Sequence, residues 1–551
     1  MKRKKLSMIL ALLMVFGILA SCTNNTTTET TTTAAGETTK AGETTTTAAA
    51  TETTTAAAPV DSGLSVTAQP DTIIAAMRGE PVLIDPQNQS DMPSTTSCIQ
   101  VYEPLIMLNP ATGEYMPWLA ESWEQIDDLT IRFKLREGVK FHNGDELTSE
   151  DVMFTLERGK ASSKKAWVFR PFDPPNSEII DKYTIDIRTE EPFAAALSFL
   201  ANNGSLIVSK SAVEAAASVD EYGQAPNGGT GPWKFNNWVA GDSVTYDRND
   251  DYWGEKAAFA KMILRNITDD TTRALSLESG DIDMCIDVAP AQIENVKASG
   301  RAEVFRAPSY VTAYLCFNVK KDSPWKDVRV RQALRWAMDL DSMVSVAFPG
   351  VGTPADGPYP KSIAVATDAE GDLAYGYDLE KAKALMAEAG YPDGFEMNFW
   401  TNENQSRIDM GEMLQNAWAQ IGVTLNVEIM EFATLLELLD TGGHDIFMMG
   451  WVLGGNDGDF IHDLFHTTLG FENNRPGYEN KEFDRMVDAA RVSMDQDERN
   501  ELYSQIQDLL RAELPWIPVQ HGEAIYGLRS TLKDVDVQPE MCTRIATIRP
   551  K

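Results

Sequence analysis

Residues Asp445-Ile446-Phe447-Met448-Met449-Gly450-Trp451 open on one carboxylate and then run apolar to the end. A short run without polar alternation is the pattern of a strand buried on both faces of its sheet. Upstream, Phe432 to Leu439 reads as a helix, and Val423, Leu425, Val427 and Ile429 alternate as a strand. Before Gly422 lies a helix whose apolar face is Met410, Met413, Leu414 and Trp418. Earlier still, Phe395 to Trp400 reads as a strand, and Asp378 caps a helix striped by Ala382, Leu385, Met386 and Ala389 and closed by Gly390. Alternating strands and helices define an α/β lobe with a largely parallel sheet, whose ligand crevice lies beyond the strand C-termini. The strand ending at Trp451 therefore aims its next loop, Val452-Leu453-Gly454-Gly455-Asn456-Asp457-Gly458-Asp459, at a site. Its glycines make that loop flexible, and it carries carboxylates.

A second body precedes this one. Leu129, Ile131, Phe133 and Leu135 alternate with Thr130, Arg132, Lys134 and Arg136, a strand with one buried face. A turn follows at Asn143-Gly144-Asp145, and Thr148 with Asp151 three residues on reads as the start of a helix carrying Val152 and Leu156. The chain has 551 residues. Single cores stop growing at roughly 250 to 300 residues, so at least two lobes are expected. A composition 43% hydrophobic and 24% charged suits packed protein and excludes wholesale disorder. The formal charge of −34 argues against a nucleic-acid partner, which needs a basic footprint on phosphates. The cysteines, at 22, 98, 285, 316 and 542, form no CxxC pair and are too few for a disulfide-stapled scaffold.

Lys2, Arg3, Lys4 and Lys5 precede an apolar run from Leu6 to Ile18 that is too short to span a bilayer permanently, which reads as a secretion signal over residues 1–21. Leu19-Ala20-Ser21-Cys22 resembles the lipobox of bacterial lipoproteins, which implies that Cys22 is lipidated and becomes the mature N-terminus. Residues 23–60 are almost entirely Thr, Ala, Glu and Gly, with too little apolar surface to offset the entropy of ordering, and residues 22–68 read as a Thr/Ala-rich tether.

Catalytic patterns are sparse. The five histidines are His142, His444, His462, His466 and His521, and there is no GxSxG elbow, P-loop or GxGxxG after a strand. His462-Asp463-Leu464-Phe465-His466 has the i, i+4 spacing of HExxH, with an aspartate one methylene shorter than the usual general base. The reading is two polar side chains on a partly exposed helix, and no metal or cofactor is expected. Twelve tryptophans suit the lining of a cleft for an amphipathic ligand. Most belong to cores, and Trp451, at the end of a buried strand, is the one placed at a site.

At this point several motifs become collectively informative. Leu119-Ala120-Glu121-Ser122-Trp123 leads through Phe133-Lys134-Leu135-Arg136-Glu137-Gly138-Val139-Lys140-Phe141-His142-Asn143-Gly144 to Leu147-Thr148-Ser149-Glu150-Asp151-Val152. Gly229-Thr230-Gly231-Pro232-Trp233, Tyr252-Trp253, Gly280-Asp281-Ile282-Asp283 and Asp327-Val328-Arg329-Val330-Arg331-Gln332-Ala333-Leu334 follow in order, ahead of the helix that ends at Gly390-Tyr391-Pro392. Together these stretches resemble the family 5 extracytoplasmic solute-binding proteins of peptide and nickel ABC importers.

The resemblance implies an enlarged, class II periplasmic-binding-protein-like architecture: two α/β lobes, a hinge and an interlobe cleft. Lobe I is expected over residues 69–312 and 519–551 and lobe II over 313–518, with crossings near Tyr310 to Phe317 and Pro515 to His521. It implies a monomer that captures a peptide, closes, and docks on the transmembrane subunits of an ABC permease, held to the outer face of the cell membrane by its lipid anchor. It implies no catalysis. In peptide binders of the family an aspartate shortly after the tryptophan matching Trp451 pairs with the peptide ammonium; here Gly454 stands nearest, and Asp457 or Asp459 would substitute. An arginine that some dipeptide binders use for the peptide carboxylate is matched by Thr401 or Asn402, with Arg407 some residues on. The expected ligand residues are Trp451, Asp457, Asp459, Asn402 and Asn404, facing Met92, Cys98 and Tyr102. An oligosaccharide stacked on Trp400 and Trp451, or a nickel complex, is the second reading. A secreted lipoprotein hydrolase is the third.

Overall fold

The computed structural model describes residues 71–110 and 112–551. The expected signal segment 1–21, Cys22 and the tether 22–68 lie outside the described residues.

Among the described residues, eleven strands form one sheet. Its two long members, Ala302–Phe317 and Trp516–Arg529, run antiparallel through the middle. On one side of them the sheet continues through Ile446–Val452, Glu396–Asn402 and Thr424–Met430; on the other it continues through Met284–Ile286, Thr72–Met77 and Lys261–Asn266 to the hairpin Trp233–Val239 with Ser243–Arg248. The wing containing Ile446–Val452 is built as read from sequence. Helix Gln405–Ala419 links two parallel strands, and helix Phe432–Asp440 leads to the third. Ile446, Phe447 and Met448 are fully buried, as a run without polar alternation requires. Gly422 closes the first crossover in the left-handed region at φ 84°, where a Cβ would stand 2.7 Å from the Asp393 carbonyl oxygen.

The sheet as a whole is mixed rather than largely parallel. Ile446–Val452 pairs antiparallel with Ala302–Phe317, because that long strand enters the wing from the opposite end, without a crossover helix. The two long strands keep one register from Ala302↔Arg529 to Pro308↔Glu523, a second at Thr312↔His521 and Ala313↔Gln520, and a third from Tyr314↔Pro518 to Cys316↔Trp516. The first break leaves Ser309 to Val311 against Gly522, whose missing side chain lets Ser309 Oγ approach to 3.1 Å from the position of a Cβ. The expected crossings near Tyr310 to Phe317 and Pro515 to His521 fall on this part of the two strands.

A separate antiparallel sheet of four strands, in the order Ala120–Asp127, Thr130–Leu135, Thr184–Arg188, Glu178–Asp181, carries the alternating segment. Ile131, Phe133 and Leu135 are buried. Helix Ser149–Lys160 begins with the expected capping box, Thr148 N–H donating to Asp151 Oδ2 at 3.0 Å. One core gathers Ile73, Tyr246, Met262 and Tyr526, and another gathers Leu315, Phe399, Trp418 and Met448. A third runs from Phe133 and Phe169 to Phe447, Tyr503 and Trp516, joining the four-stranded sheet to helices Lys481–Val492 and Gln496–Glu513. Among the described residues no helix is long and apolar enough to cross a membrane.

Candidate ligand cavity

A cavity of about 290 Å³ lies where the loop after Trp451 meets segments from the first half of the chain. Its walls hold Met92, Lys165, Trp167 and Asn203 on one side and Trp451, Phe460 and Asp463 on the other, with Glu540 from near the C-terminus. Aromatic rings frame it. Trp167 meets Phe460 edge-on at 6.1 Å between centroids, and Phe199 stacks behind them on Phe460. Three polar links cross the same boundary: Arg170 to Asp463 at 2.9 Å, Asn202 Nδ2 to the Gly454 carbonyl, and the Ala194 N–H to the Arg491 carbonyl at 3.2 Å.

The charges in the cavity are unevenly matched. Lys165 is half-buried, its pKa lowered by burial, and among the described residues its ammonium makes no ion pair or side-chain hydrogen bond. Glu540 accepts from Asn203 Nδ2 at 2.5 Å, and desolvation raises its carboxyl to about 7 despite the opposing charge of Arg544. Burial also pushes Asp463 upward, but its bonds to His462 and Arg170 outweigh that and hold it below the ordinary value. The cavity therefore offers a cation without a protein counter-ion, a carboxyl poised near neutrality and an ionised carboxylate, between aromatic walls.

Of the residues expected at a site, Trp451 and Met92 line this cavity. Asp457 and Asp459 are already paired. Arg499 Nη2 donates to both oxygens of Asp457 at 2.7 Å, and Arg491 grips Asp459 through two bonds of 2.8 and 2.7 Å. The loop is thereby pinned to the two C-terminal helices instead of being flexible, and both carboxylates are already neutralised. Cys98 and Tyr102 lie away from the cavity walls. Both are fully buried, Cys98 on helix Met92–Val101 and Tyr102 at its C-cap, and Tyr102 O–H donates to the Ile84 carbonyl at 3.2 Å. Asn402 accepts from Arg407 Nη1 at 2.6 Å, and Asn404 caps helix Gln405–Ala419, so neither lines the cavity.

Sequence reasoning missed Lys165, Trp167, Asn203, Asp463 and Glu540. One signal was available. Gly454 stands where the family resemblance expects an aspartate, and a Cβ there would come within 2.8 Å of Trp167 and 2.7 Å of Phe460. The indole fills the space that an acidic side chain would need, so the cavity draws its negative charge from elsewhere.

A mixed sheet in two wings joined by paired long strands, with a walled cavity between segments from distant parts of the chain, defines a two-lobed solute-binding protein. The family model for bacterial extracellular solute-binding proteins, family 5 Middle, matches residues 114–473, and the chain belongs to that family. It is 32% identical to heme-binding protein A of Haemophilus influenzae, over 79% of this chain and 84% of that one. It is 29% identical to the dipeptide-binding protein of Escherichia coli, over 86% and 94%. Among solved structures, HbpA2 from Haemophilus parasuis superposes with a TM-score of 0.77 at 27% identity, covering 87% of this chain and all of that one. The periplasmic binding protein DppA from Helicobacter pylori, in complex with the peptide STSA, gives 0.75 at 26%, covering 87% and 98%.

Proposed function

We propose that this protein is the peptide-capturing subunit of an ABC importer and that it holds a short peptide by both termini in the cavity between Trp167 and Trp451. The observation that carries this reading is Lys165, a half-buried ammonium that faces the cavity without an ion-pair partner. A buried charge without an opposite charge is costly, and the α-carboxylate of a peptide supplies the missing partner. Glu540 and Asp463 receive the α-ammonium, while the indoles and Met92 pack against side chains. The size of the cavity, at the lower end of the roughly 300 to 1,000 Å³ usual for small-molecule sites, favours a di- or tripeptide over a long one. Relatives named for dipeptides and for glutathione, itself a tripeptide, support the same class.

The ligand leaves chemically unchanged. Lobe I, residues 69–312 and 519–551, and lobe II, residues 313–518, rotate about the register break beside Gly522. Binding stabilises the closed arrangement, because only there do both sets of walls touch the ligand. The closed monomer then docks on its permease, tethered to the outer face of the cell membrane through lipidated Cys22.

Calorimetry with a dipeptide library, glutathione, haemin, cello-oligosaccharides and Ni²⁺ tests the assignment. A ligand at 100 Kd stabilises the fold by about 2.7 kcal/mol, so a parallel thermal-shift screen registers the same binding. Peptides with free termini should bind. Haemin or sugar binding without peptide binding sinks the reading, and a hydrolysed product revives the hydrolase.

A further inference from the structure

The two histidines read from sequence as partly exposed are both buried, at 7% exposure each. They sit at the two ends of the single-turn helix His462–Phe465, with rings stacked at 4.5 Å and 24°. Helix Lys481–Val492 passes beside them and presents Asp484 and Asp488, one turn apart. His466 Nε2 is buried without a hydrogen-bond partner, with the nearest carboxylate oxygens at 3.4 Å on Asp488 and 3.8 Å on Asp484. One ligand atom from each of His462, His466 and Asp488 lies within 4.8 Å of the other two.

We propose that His462, His466 and Asp488 bind a divalent first-row transition ion, with zinc the best fit to the donor set. Two imidazoles and a carboxylate are a borderline-soft set of the kind zinc takes at about 2.0 to 2.2 Å, leaving a fourth position for water or Asp484. The outer contact of His462 already has the form such sites use. His462 Nδ1 donates to the Asp463 carboxylate at 3.0 Å, which leaves Nε2 as the free lone pair. His466 Nδ1 accepts from the Thr468 N–H at 3.2 Å and stands 2.7 Å from Thr468 Oγ1, so giving Nε2 to the metal moves the ring proton to Nδ1, where the Thr468 hydroxyl oxygen accepts it in place of the N–H bond. Thr467 N–H donates to Asp484 Oδ1 at 3.1 Å and holds that carboxylate beside the pair.

Charge balance favours the ion as well. The nearby cations are each matched, Arg491 by Asp459 and Arg170 by Asp463. Asp484 and Asp488 supply two negative charges against a dication. The bound ion fastens the turn bearing Asp463 to helix Lys481–Val492. Asp463 lines the ligand cavity and pairs with Arg170 across it, so the metal stiffens one wall of that cavity.

The test uses tag-free protein stripped with a chelator. Zn²⁺ is titrated by calorimetry, and Co²⁺ is followed in the visible, where four-coordinate cobalt absorbs far more strongly than the hydrated ion. One ion per chain should bind, with affinity at least about tenfold weaker in Asp488→Asn and stoichiometric binding lost in His466→Gln. Asp488 is exposed, so its variant tests the site without disturbing the core. Absence of stoichiometric binding by the wild type, or equal binding by wild type and both variants, overturns the proposal.

Discussion

Phe199 and Phe460 lie far apart in sequence, yet their rings stack with centroids 4.8 Å apart and planes 8° from parallel. Both are buried. Phe460 lines the cavity and Phe199 backs it, with Trp167 set edge-on against each ring. Replacing Phe460 with Ala should cost about 3 to 5 kcal/mol, read by urea unfolding, because it removes a core ring as well as the stack. A loss below about 1 kcal/mol would mean that the two rings part in solution.

Lys165→Met removes an ammonium while keeping most of its apolar stem. The variant should bind peptides about ten to a hundred times more weakly, matching a charge-assisted bond of 1.5 to 3 kcal/mol. Peptides amidated at the C-terminus should bind wild type as weakly as the variant. If amidation weakens both proteins equally, Lys165 does not hold the carboxylate.

Glu540 sets a pH dependence. Its carboxyl titrates near 7, so affinity for a peptide with a free ammonium should rise with pH through about 7 and then level off. An N-acetylated peptide should show no such rise, and neither should Glu540→Gln. Stability runs the other way. The folded state holds this proton more tightly than the unfolded chain, so the contribution is complete below the ordinary value of 4.5 and is lost as pH rises through about 7. Denaturation of the free protein across that window checks the sign, and Glu540→Gln should flatten the decline.

Asp457→Asn separates support from binding. It breaks a bidentate pair with Arg499, whose side chain is 2% exposed, and should cost about 3 to 5 kcal/mol of stability through the stranded guanidinium. Peptide affinity measured on the surviving folded fraction should change little. A large loss of affinity at unchanged stability would return Asp457 to the site.

Trp451→Ala should weaken peptide binding at least about tenfold and leave far-UV dichroism unchanged, since the side chain lines the cavity at the end of its strand. Unchanged affinity in calorimetry would remove it from the ligand's path.

Legibility in the sequence followed the range of the interaction. The wing around Asp445 to Trp451 could be read because its strands and helices declare themselves by periodicity, and its capping aspartate and closing glycines are local. The antiparallel centre could not, because the pairing of Ala302–Phe317 with Trp516–Arg529 joins residues some two hundred apart. The same limit shaped the site. Trp451 was visible from the end of its strand, but Lys165 follows Ser162-Ser163-Lys164 and looks like any solvated charge. Asp457 and Asp459 looked free because the helices that supply Arg499 and Arg491 fold back on them only in three dimensions.

The strand Trp516–Arg529 lies between Ala302–Phe317 and Met284–Ile286, so until it arrives those two remain unzipped. The ribosome delivers it some two hundred residues after Ala302–Phe317, and until then that strand lacks its central partner. A nascent molecule therefore cannot complete its central ladder until this late segment joins it.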